Sequence, residues 1–367
     1  MKVHVRESYV RRNTRTVYVG DVPLGGGNPI TVESMTKTDT LDITGTVKQI
    51  RSLEKVGCEM VRIAVPDYDA AEALATITKR VKIPVIADIH FNYKLAIMAL
   101  EANVHCIRIN PGNIGERENI MRVADAARRQ NVSLRIGVNA GSLDKALLQK
   151  YGAPIPEAMV ESVSKSVGLL EDIGFTDMIL SAKASRAPVA IETYRMLANR
   201  FRYPLHIGIT EAGLPPEGVI RSAVGIGSLL SEGIGDTIRV SLTGPPEKEI
   251  EVGYEILKSL FLRKRGPMII SCPTCGRCSI NLERVVKQVQ KKLANVKEPV
   301  VVAIMGCPVN GPGEAREADV GIAMGRGTAL IFRKGEIIRK VKPAQAVNAL
   351  MRELKQVSKR RGKPRRR

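Results

Sequence analysis

The chain has 367 residues, 57 of them basic and 37 acidic, for a formal charge of +20, with 44% hydrophobic and 4% aromatic residues, no Trp and six Cys. These proportions exclude a disordered, collagen-like or disulfide-dense secreted chain, and no apolar run approaches the roughly 18 residues of a membrane span. A charge this far from zero speaks of partners rather than fold, and phosphorylated substrates, nucleic acid or an acidic protein all suit it.

The first ten residues, MKVHVRESYV, hold no apolar h-region, so the chain is expected to stay in the cytoplasm. Thiols there remain reduced, and clustered cysteines read as metal ligands or catalytic groups rather than disulfides. The segment VYVGDVPLGGGNP predicts a hairpin whose turn is marked by Gly25, Gly26 and Gly27. That triplet lacks the spacing of a dinucleotide loop and the Lys-Ser/Thr of a P-loop.

Eight short β-branched segments follow, at residues 30–35, 60–65, 84–89, 105–110, 133–138, 177–182, 204–209 and 237–242. Helical patterns alternate with them at 45–56, 70–79, 94–101, 118–130, 156–173, 191–201, 217–232 and 247–263. Eight strand-helix units over about 250 residues predict an α/β fold, a (β/α)8 TIM barrel. After a basic connector at 264–267 the pattern changes to a strand, a Cys-rich turn, a helix at 282–293, a strand at 299–305, a second Cys turn, strands near 320–323 and 329–333, and a closing helix at 343–357. The expected organisation is a barrel over 1–265, a small α/β domain built around cysteines over 266–357, and a disordered basic tail over 358–367. No aromatic residues interleave with the tail's charges, which favours a solvated end over a nucleic-acid arm.

In a parallel barrel the functional groups stand at the C-terminal strand ends, and side chains two apart face the same way. Those ends offer Arg62, then Asp88 and His90, Arg108 and Asn110, Arg135 and Asn139, Ser181 and Lys183, His206 and Thr210 with Glu211 beside it, and Arg239 and Ser241. Burying so many cations requires interleaved carboxylates or an anionic ligand. Asp88, Glu211 and Glu232 are the local carboxylates, so the surplus predicts a multiply charged anion, with phosphate or diphosphate first because Arg forks match its oxygens. His90 and His206 are hydrogen-bonded structure or proton donors at such a mouth. The turn from Thr243 to Glu247 is a weaker phosphate signal.

Cys272, Cys275 and Cys278 lie in the string CPTCGRC, and Cys307 in MGCPVNGPGEA, followed by Glu314. Spacing by two residues lets cysteines share one metal centre, and two centres compete. A four-cysteine zinc site builds on C-x2-C pairs. A 4Fe-4S cluster needs thiolates at this spacing and commonly has Pro after a ligand, as Cys272 and Cys307 do. The C-x3-C-x2-C spacing of radical-SAM chemistry is absent.

The strings ADIHF, RINPGNIG, RIGVN, HIGITEAG, GIGDTIRVSLT, SCPTCGR and MGCPVNGPGEA, in order over nearly the whole chain, resemble the 4-hydroxy-3-methylbut-2-enyl diphosphate synthase family. The resemblance implies a barrel followed by an iron-sulfur domain. The implied activity is reductive opening of 2-C-methyl-D-erythritol 2,4-cyclodiphosphate, with loss of water, in the non-mevalonate isoprenoid pathway. It implies one 4Fe-4S cluster per chain on Cys272, Cys275, Cys307 and Glu314; Cys278 departs from the family pattern and is expected to be a bystander. An oxygen ligand is displaced more readily than a thiolate, which would open one iron to the substrate. Arg62, Arg108, Arg135, Lys183 and Arg239, with Asn110, Asn113, Asn139, Ser181, His206 and Ser241, would bind the cyclic diphosphate. Glu232 would be the acid near the reacting carbons, with Asp88 and His90 at the same mouth.

The same resemblance implies reduced flavodoxin or ferredoxin as electron donor, in keeping with the basic charge. The last barrel helix, about 17 residues or roughly 25 Å, returns the chain to the bottom of the barrel, and the connector is too short to climb back. A head-to-tail homodimer is therefore expected, each cysteine domain capping the partner's barrel. Two rivals remain open: a basic zinc-ribbon barrel protein binding RNA, and a pterin-dependent barrel methyltransferase with an accessory cluster. The second leaves the arginine surplus unexplained.

Overall fold

The computed structural model describes residues 10–110, 114, 117–294 and 296–361, with side chains through 357. The chain divides into two compact units, Met1–Arg263 and Lys264–Arg367.

The first unit opens with strands β1 (Val17–Val19) and β2 (Val22–Leu24), and then alternates strand and helix. In chain order these are β3 (Thr31–Met35), α1 (Ile43–Val56), β4 (Met60–Ala64), α2 (Tyr68–Thr78), β5 (Val85–Ile89), α3 (Tyr93–Glu101), β6 (Cys106–Ile109) and α4 (Arg117–Arg129). They continue as β7 (Ser133–Asn139), α5 (Lys145–Tyr151), α6 (Pro156–Asp172), β8 (Met178–Lys183), α7 (Ala187–Arg200), β9 (His206–Ile207), α8 (Glu217–Ser231), β10 (Thr237–Ile238) and α9 (Pro246–Ser259). The parallel ladder runs β8-β7-β6-β5-β4-β3-β10-β9, and a bridge from Leu180 to Leu205 joins its two ends into a barrel. That seam is thin, and the Tyr194 hydroxyl reinforces it by donating to His206 O at 2.8 Å while accepting from Ala182 N at 3.2 Å.

Local chemistry sets the helix starts. Asp42, Asp67, Asn92 and Asp144 each precede a helix and accept a first-turn amide, at Gly45, Ala70, Lys94 and Ala146 respectively. Strand residues alternate between helix-facing apolar groups and inward-facing groups, so Val61, Ile63, Ile107, Leu134 and Ile136 join one large core with the helices. Each such residue, fully buried, contributes about 1.5–3 kcal/mol before chain entropy is counted.

Several expectations change. The hairpin pairs Val19 with Val22, so its turn is Gly20 and Asp21, and the Gly25–Gly27 triplet follows the second strand instead. Gly20 has φ +60° and lies against His105, where a Cβ would come within 2.7 Å of the ring. Val17, Val19 and Leu24 pack under Met60, Ile86, Cys106 and Ile179, at or next to the first residues of their strands, so the hairpin closes the N-terminal end of the barrel. The last two strands are two-residue ladders, shorter than expected. Helix α5 is not among the expected elements, and α9 stops at Ser259 because Phe261 turns left-handed at φ +56°.

The second unit holds β11 (Pro267–Ser271), α10 (Leu282–Leu293), β12 (Val300–Met305), the short α11 (Gly311–Glu314), β13 (Val320–Met324), β14 (Ala329–Arg333), β15 (Glu336–Val341) and α12 (Ala346–Arg361). Its sheet runs in chain order, parallel across β11-β12-β13 and antiparallel across β13-β14-β15. Val302 and Ile304 face Val289, Leu293 and Leu350 of α10 and α12, whereas Ala303 and Met305 face Ala315, Ala318 and Phe332 on the other side. Strand β15 is missing from the sequence pattern because EIIRKV is an exposed edge without an apolar face, reached by a turn at Lys334 and Gly335 with φ +49° and +81°. The closing helix continues to Arg361, so the first four residues assigned to a disordered tail are helical; the rest of that tail lies outside the described residues.

Candidate active site

The inward side chains at the C-terminal half of the barrel are overwhelmingly polar. Arg135 on β7 is fully buried and donates to Glu33 on β3 at 2.8 Å, while its second η-nitrogen stands 2.6 Å from the other carboxylate oxygen, off the hydrogen-bond direction. Burial alone would raise Glu33 and lower Arg135, but each outweighs that cost for the other, leaving Glu33 below and Arg135 above their ordinary values.

A second knot forms on β5 and β6. Arg108 donates to Asp88 at 2.9 Å and to Gly137 O at 3.0 Å, and approaches His90 Nε2 at 3.0 Å. Arg62 Nε lies 3.8 Å from Asp88 on the other side. Burial opposes ionisation of Asp88, yet Arg62, the His90 hydrogen bond and Arg108 hold it well below the carboxylate range. Gly137 makes this possible, because a Cβ there would meet Arg108 Nε at 2.2 Å. The glycine is the groove in which the guanidinium lies.

The third group straddles the seam. Lys183 Nζ is 3.0 Å from His206 Nε2, and His206 is 3.6 Å from Glu33. Burial and the surrounding cations push both Lys183 and His206 well below their ordinary values, so the imidazole is neutral. Arg239 is lowered to about 10, first by burial and then by Arg62. Its Nε is 3.8 Å from Glu249, a buried carboxylate in the first turn of α9. Glu249 also takes Ser34 Oγ at 2.7 Å, Leu242 N at 3.1 Å and Lys37 Nζ at 3.0 Å.

Five cations thus share this interior with Glu33, Asp88 and Glu249, and the buried Nε atoms of Arg62 and Arg239 have no hydrogen-bond acceptor. Glu33 and Glu249 escape sequence reasoning. Glu33 could have been found, since a carboxylate at an inward position of a predicted strand demands a cation opposite. Acidic residues in a helix first turn are common, and nothing distinguishes Glu249 among them.

The remaining candidates divide. Asn110 is buried and donates to Ser142 O at 3.2 Å, tying β6 to the turn after β7; Asn139 begins that turn. Ser181 is buried on the same inward parity as Lys183, Ser241 is half-buried past β10, and His90 stands at the rim with its side chain 43% exposed. Asn113 lies outside the described residues. Glu232 does not belong to this group. It caps the C-terminus of α8, before β10, and pairs with Arg195 of α7 at 2.6 Å; its neighbour Gly233 accepts the amide of Arg12. That loop is at the N-terminal end of the barrel. Glu211, by contrast, lies on a C-terminal loop, exposed after β9 with φ +54°.

In the second unit Cys272 and Cys307 directly follow β11 and near-follow β12, adjacent parallel strands in which Ser271 pairs with Ile304, so both thiols stand at one sheet edge. Cys272 Sγ accepts the Gly306 amide at 3.2 Å. Amides of Asn310 and Val309, together with Arg277, lower the Cys307 thiol against the opposing charge of Glu314. Cys275 is exposed and Cys278 half-buried, whereas Cys58 and Cys106 are barrel-core thiols raised by burial to about 12 and about 11. Among the described residues no three Cys, His, Asp or Glu side chains are gathered around a point that could hold one metal ion. As a donor set, three thiols with a nearby carboxylate and amide hydrogen bonds to sulfur fit an iron-sulfur cluster.

A barrel lined by surplus cations, followed in the chain by an α/β unit with cysteine donors at one edge, defines an enzyme class that handles a multiply charged anion with a metal-binding module. The GcpE TIM-barrel domain matches residues 14–254, and the GcpE protein C-terminal domain matches 268–356. The chain belongs to this family. A protein of Thermodesulfovibrio yellowstonii named 4-hydroxy-3-methylbut-2-en-1-yl diphosphate synthase (flavodoxin) is 55% identical over 345 residues, covering 94% of this chain and 99% of that one. Proteins of the same name from Geobacter sulfurreducens, 56% identical over 348 residues, and Listeria monocytogenes, 52% over 350, each cover 95% of this chain. The family named from the sequence motifs is the one matched, and neither the RNA-binding nor the methyltransferase reading finds support.

Proposed function

We propose that this chain reductively opens 2-C-methyl-D-erythritol 2,4-cyclodiphosphate to 4-hydroxy-3-methylbut-2-enyl diphosphate in the non-mevalonate isoprenoid pathway, taking up two electrons and two protons and releasing one water. The observation that carries the reading is the cation surplus of the barrel mouth, where Arg62 and Arg239 hold unused Nε donors. A diphosphate supplies the missing negative charge and the acceptors together.

The residues then take distinct tasks. Arg62, Lys183 and Arg239 contact the diphosphate, while Arg108 and Arg135 contribute field from positions fixed by Asp88 and Glu33. Asn110, Asn113, Asn139, Ser181, His206 and Ser241 complete the polar lining. Asp88 is held ionised, so it orients Arg108 and His90 and does not donate a proton. His90 at the rim and Glu211 on its loop are the groups able to carry one. Glu232 is replaced in that role by Glu211 on grounds of position.

A 4Fe-4S cluster, one per chain, would be held by Cys272, Cys275, Cys307 and Glu314, and when bound it supplies single-electron transfer and a Lewis-acidic iron. Reduced flavodoxin, or ferredoxin in its place, would deliver the electrons in the cytoplasm; no helix among the described residues is long and apolar enough to cross a membrane. A head-to-tail homodimer belongs to the same proposal. Arg263, last of the first unit, donates to Ile30 O at 2.6 Å and pairs with Glu59 at 2.9 Å, both just before strands, so the chain leaves the barrel at its N-terminal end.

Anaerobic purification with metal analysis and a visible spectrum tests the cofactor: a brown protein with about four irons per chain is expected. A colourless protein with one zinc overturns it. Turnover of the cyclic diphosphate with a reduced donor tests the reaction. Mixing Cys307→Ser with Arg108→Ala chains tests the dimer, since restored activity requires sites built from two chains and its absence rejects the arrangement.

A further inference from the structure

Cys278 is the one clustered cysteine to which the proposed function gives no task. The structure places its sulfur beside a ligand. A Cβ built on Gly306 would meet Cys278 Sγ at 2.6 Å and Cys272 Sγ at 3.5 Å, so the two sulfurs lie no more than about 6 Å apart. The Cys278 amide donates to Cys275 O at 2.8 Å, and Thr274 is left-handed at φ +61°, so the CPTCGRC turn folds its last cysteine back towards its first. Both sulfurs are half-buried against the same small core, whereas Cys275 is exposed. Gly306 is what admits them, since any side chain there would occupy the Cys278 sulfur position.

We propose that Cys272 and Cys278 form a thiol pair that closes to an intrachain disulfide when no cluster is bound, withdrawing Cys272 from the ligand set. Closing the bond requires χ1 turns that bring the sulfurs from within about 6 Å to about 2 Å. The oxidant is a low-molecular-weight disulfide. One thiolate attacks it and releases one small thiol; the second thiolate attacks the protein sulfur of that mixed disulfide and releases the other. Two protein thiols lose two electrons and two protons, and two small thiols carry them away. Excess dithiol runs the exchange backwards. The pair shields Cys272 from irreversible over-oxidation while the site waits for iron.

The pairing stands without the cluster reading; only its effect on iron uptake rests on it, and two measurements keep the two apart. The full chain, made cluster-free, is incubated with oxidised glutathione, alkylated and mapped by mass spectrometry. The expected product is about 2 Da lighter, carries a 272–278 link and has four of its six thiols free. A map joining Cys275 to Cys272 or Cys307, or one leaving all six thiols alkylated, overturns the proposal. Cys278→Ser, or Cys278→Ala if the serine form misfolds, is expected to leave Cys272 as a glutathione adduct. The oxidised wild-type chain is then mixed with ferrous iron alone, sulfide being omitted because it would itself reduce the link, before and after dithiol that is removed again by gel filtration. Uptake only after dithiol ties the disulfide to the ligand set. A 272–278 link that leaves uptake unaffected would reject Cys272 as a ligand and preserve the pair.

Discussion

The barrel interior and the cysteine edge solve opposite problems. In the barrel Glu33, Asp88, Arg108, Arg135, Lys183 and Glu249 are buried, and most donor atoms already have partners within the protein: Glu33 fixes Arg135, Asp88 fixes Arg108, and Glu249 gathers Ser34, Lys37 and Arg239. Such a site is set before ligand arrives, because an unpaired buried charge costs several kcal/mol. At the sheet edge the donors are half-buried or exposed, and among the described residues amides reach the sulfurs of Cys272 and Cys307. Cysteine side chains tolerate solvent, so on the proposed function their final geometry can be left to the group they would bind. Preorganisation lives in one unit and ligand-completed assembly in the other.

Breaking that contrast should have graded effects. The largest is expected from Cys307→Ser, which should reduce bound iron and turnover to background while the melting curve of the barrel stays in place; iron analysis alongside calorimetry checks both halves. Next comes Arg108→Ala, expected to lower kcat/KM by about 10²–10³ through loss of a preorganised cation. It also strands Asp88, so a melt must accompany the kinetics, and Arg108→Lys should recover only part of the activity.

A pure stability effect comes third. Glu33→Gln leaves Arg135 buried without its counter-charge and should destabilise the barrel by about 3–5 kcal/mol in denaturant titration, with iron content unchanged. If the loss is below about 1 kcal/mol, the interior is wetter than its burial implies.

The pH response sharpens the same distinction. His206 has a depressed folded value, so its contribution to stability is complete above the unfolded value of about 6.5 and is lost as pH falls towards the folded one. Glu33 and Asp88, also depressed, stabilise above an unfolded value near 4 and lose that contribution only in stronger acid. Melting temperatures should therefore decline in two stages below pH 6.5, and His206→Asn should remove the first. The smallest effect is expected from Glu232→Gln. This surface pair with Arg195 should change stability by less than about 1 kcal/mol and turnover by less than about two-fold. A large loss of turnover would return Glu232 to the reaction.

Much of this site is legible one residue at a time. Strand ends carrying Arg62, Asp88, Arg108, Arg135, Lys183, His206 and Arg239 follow from strand parity, since a period of two fixes which side chains share a face. Glu232 enters through the family resemblance rather than through strand parity, and a helix terminus gives no sign of which end of a barrel it reaches until the following strand is located. Asn110 is among the residues expected to bind the diphosphate, and in the fold its amide donates to Ser142 O, 32 residues on.

By itself the sequence determined the order of strands and helices, the change of pattern near residue 264, the net charge and the thiol spacing, because propensity, capping and periodicity are local properties. Only the tertiary structure decided which charges neutralise one another and which remain available. Glu33 meets Arg135 across 102 residues and Ser34 meets Glu249 across 215. Such pairings depend on closing the barrel, and the strength of each charge depends on the burial that closure creates.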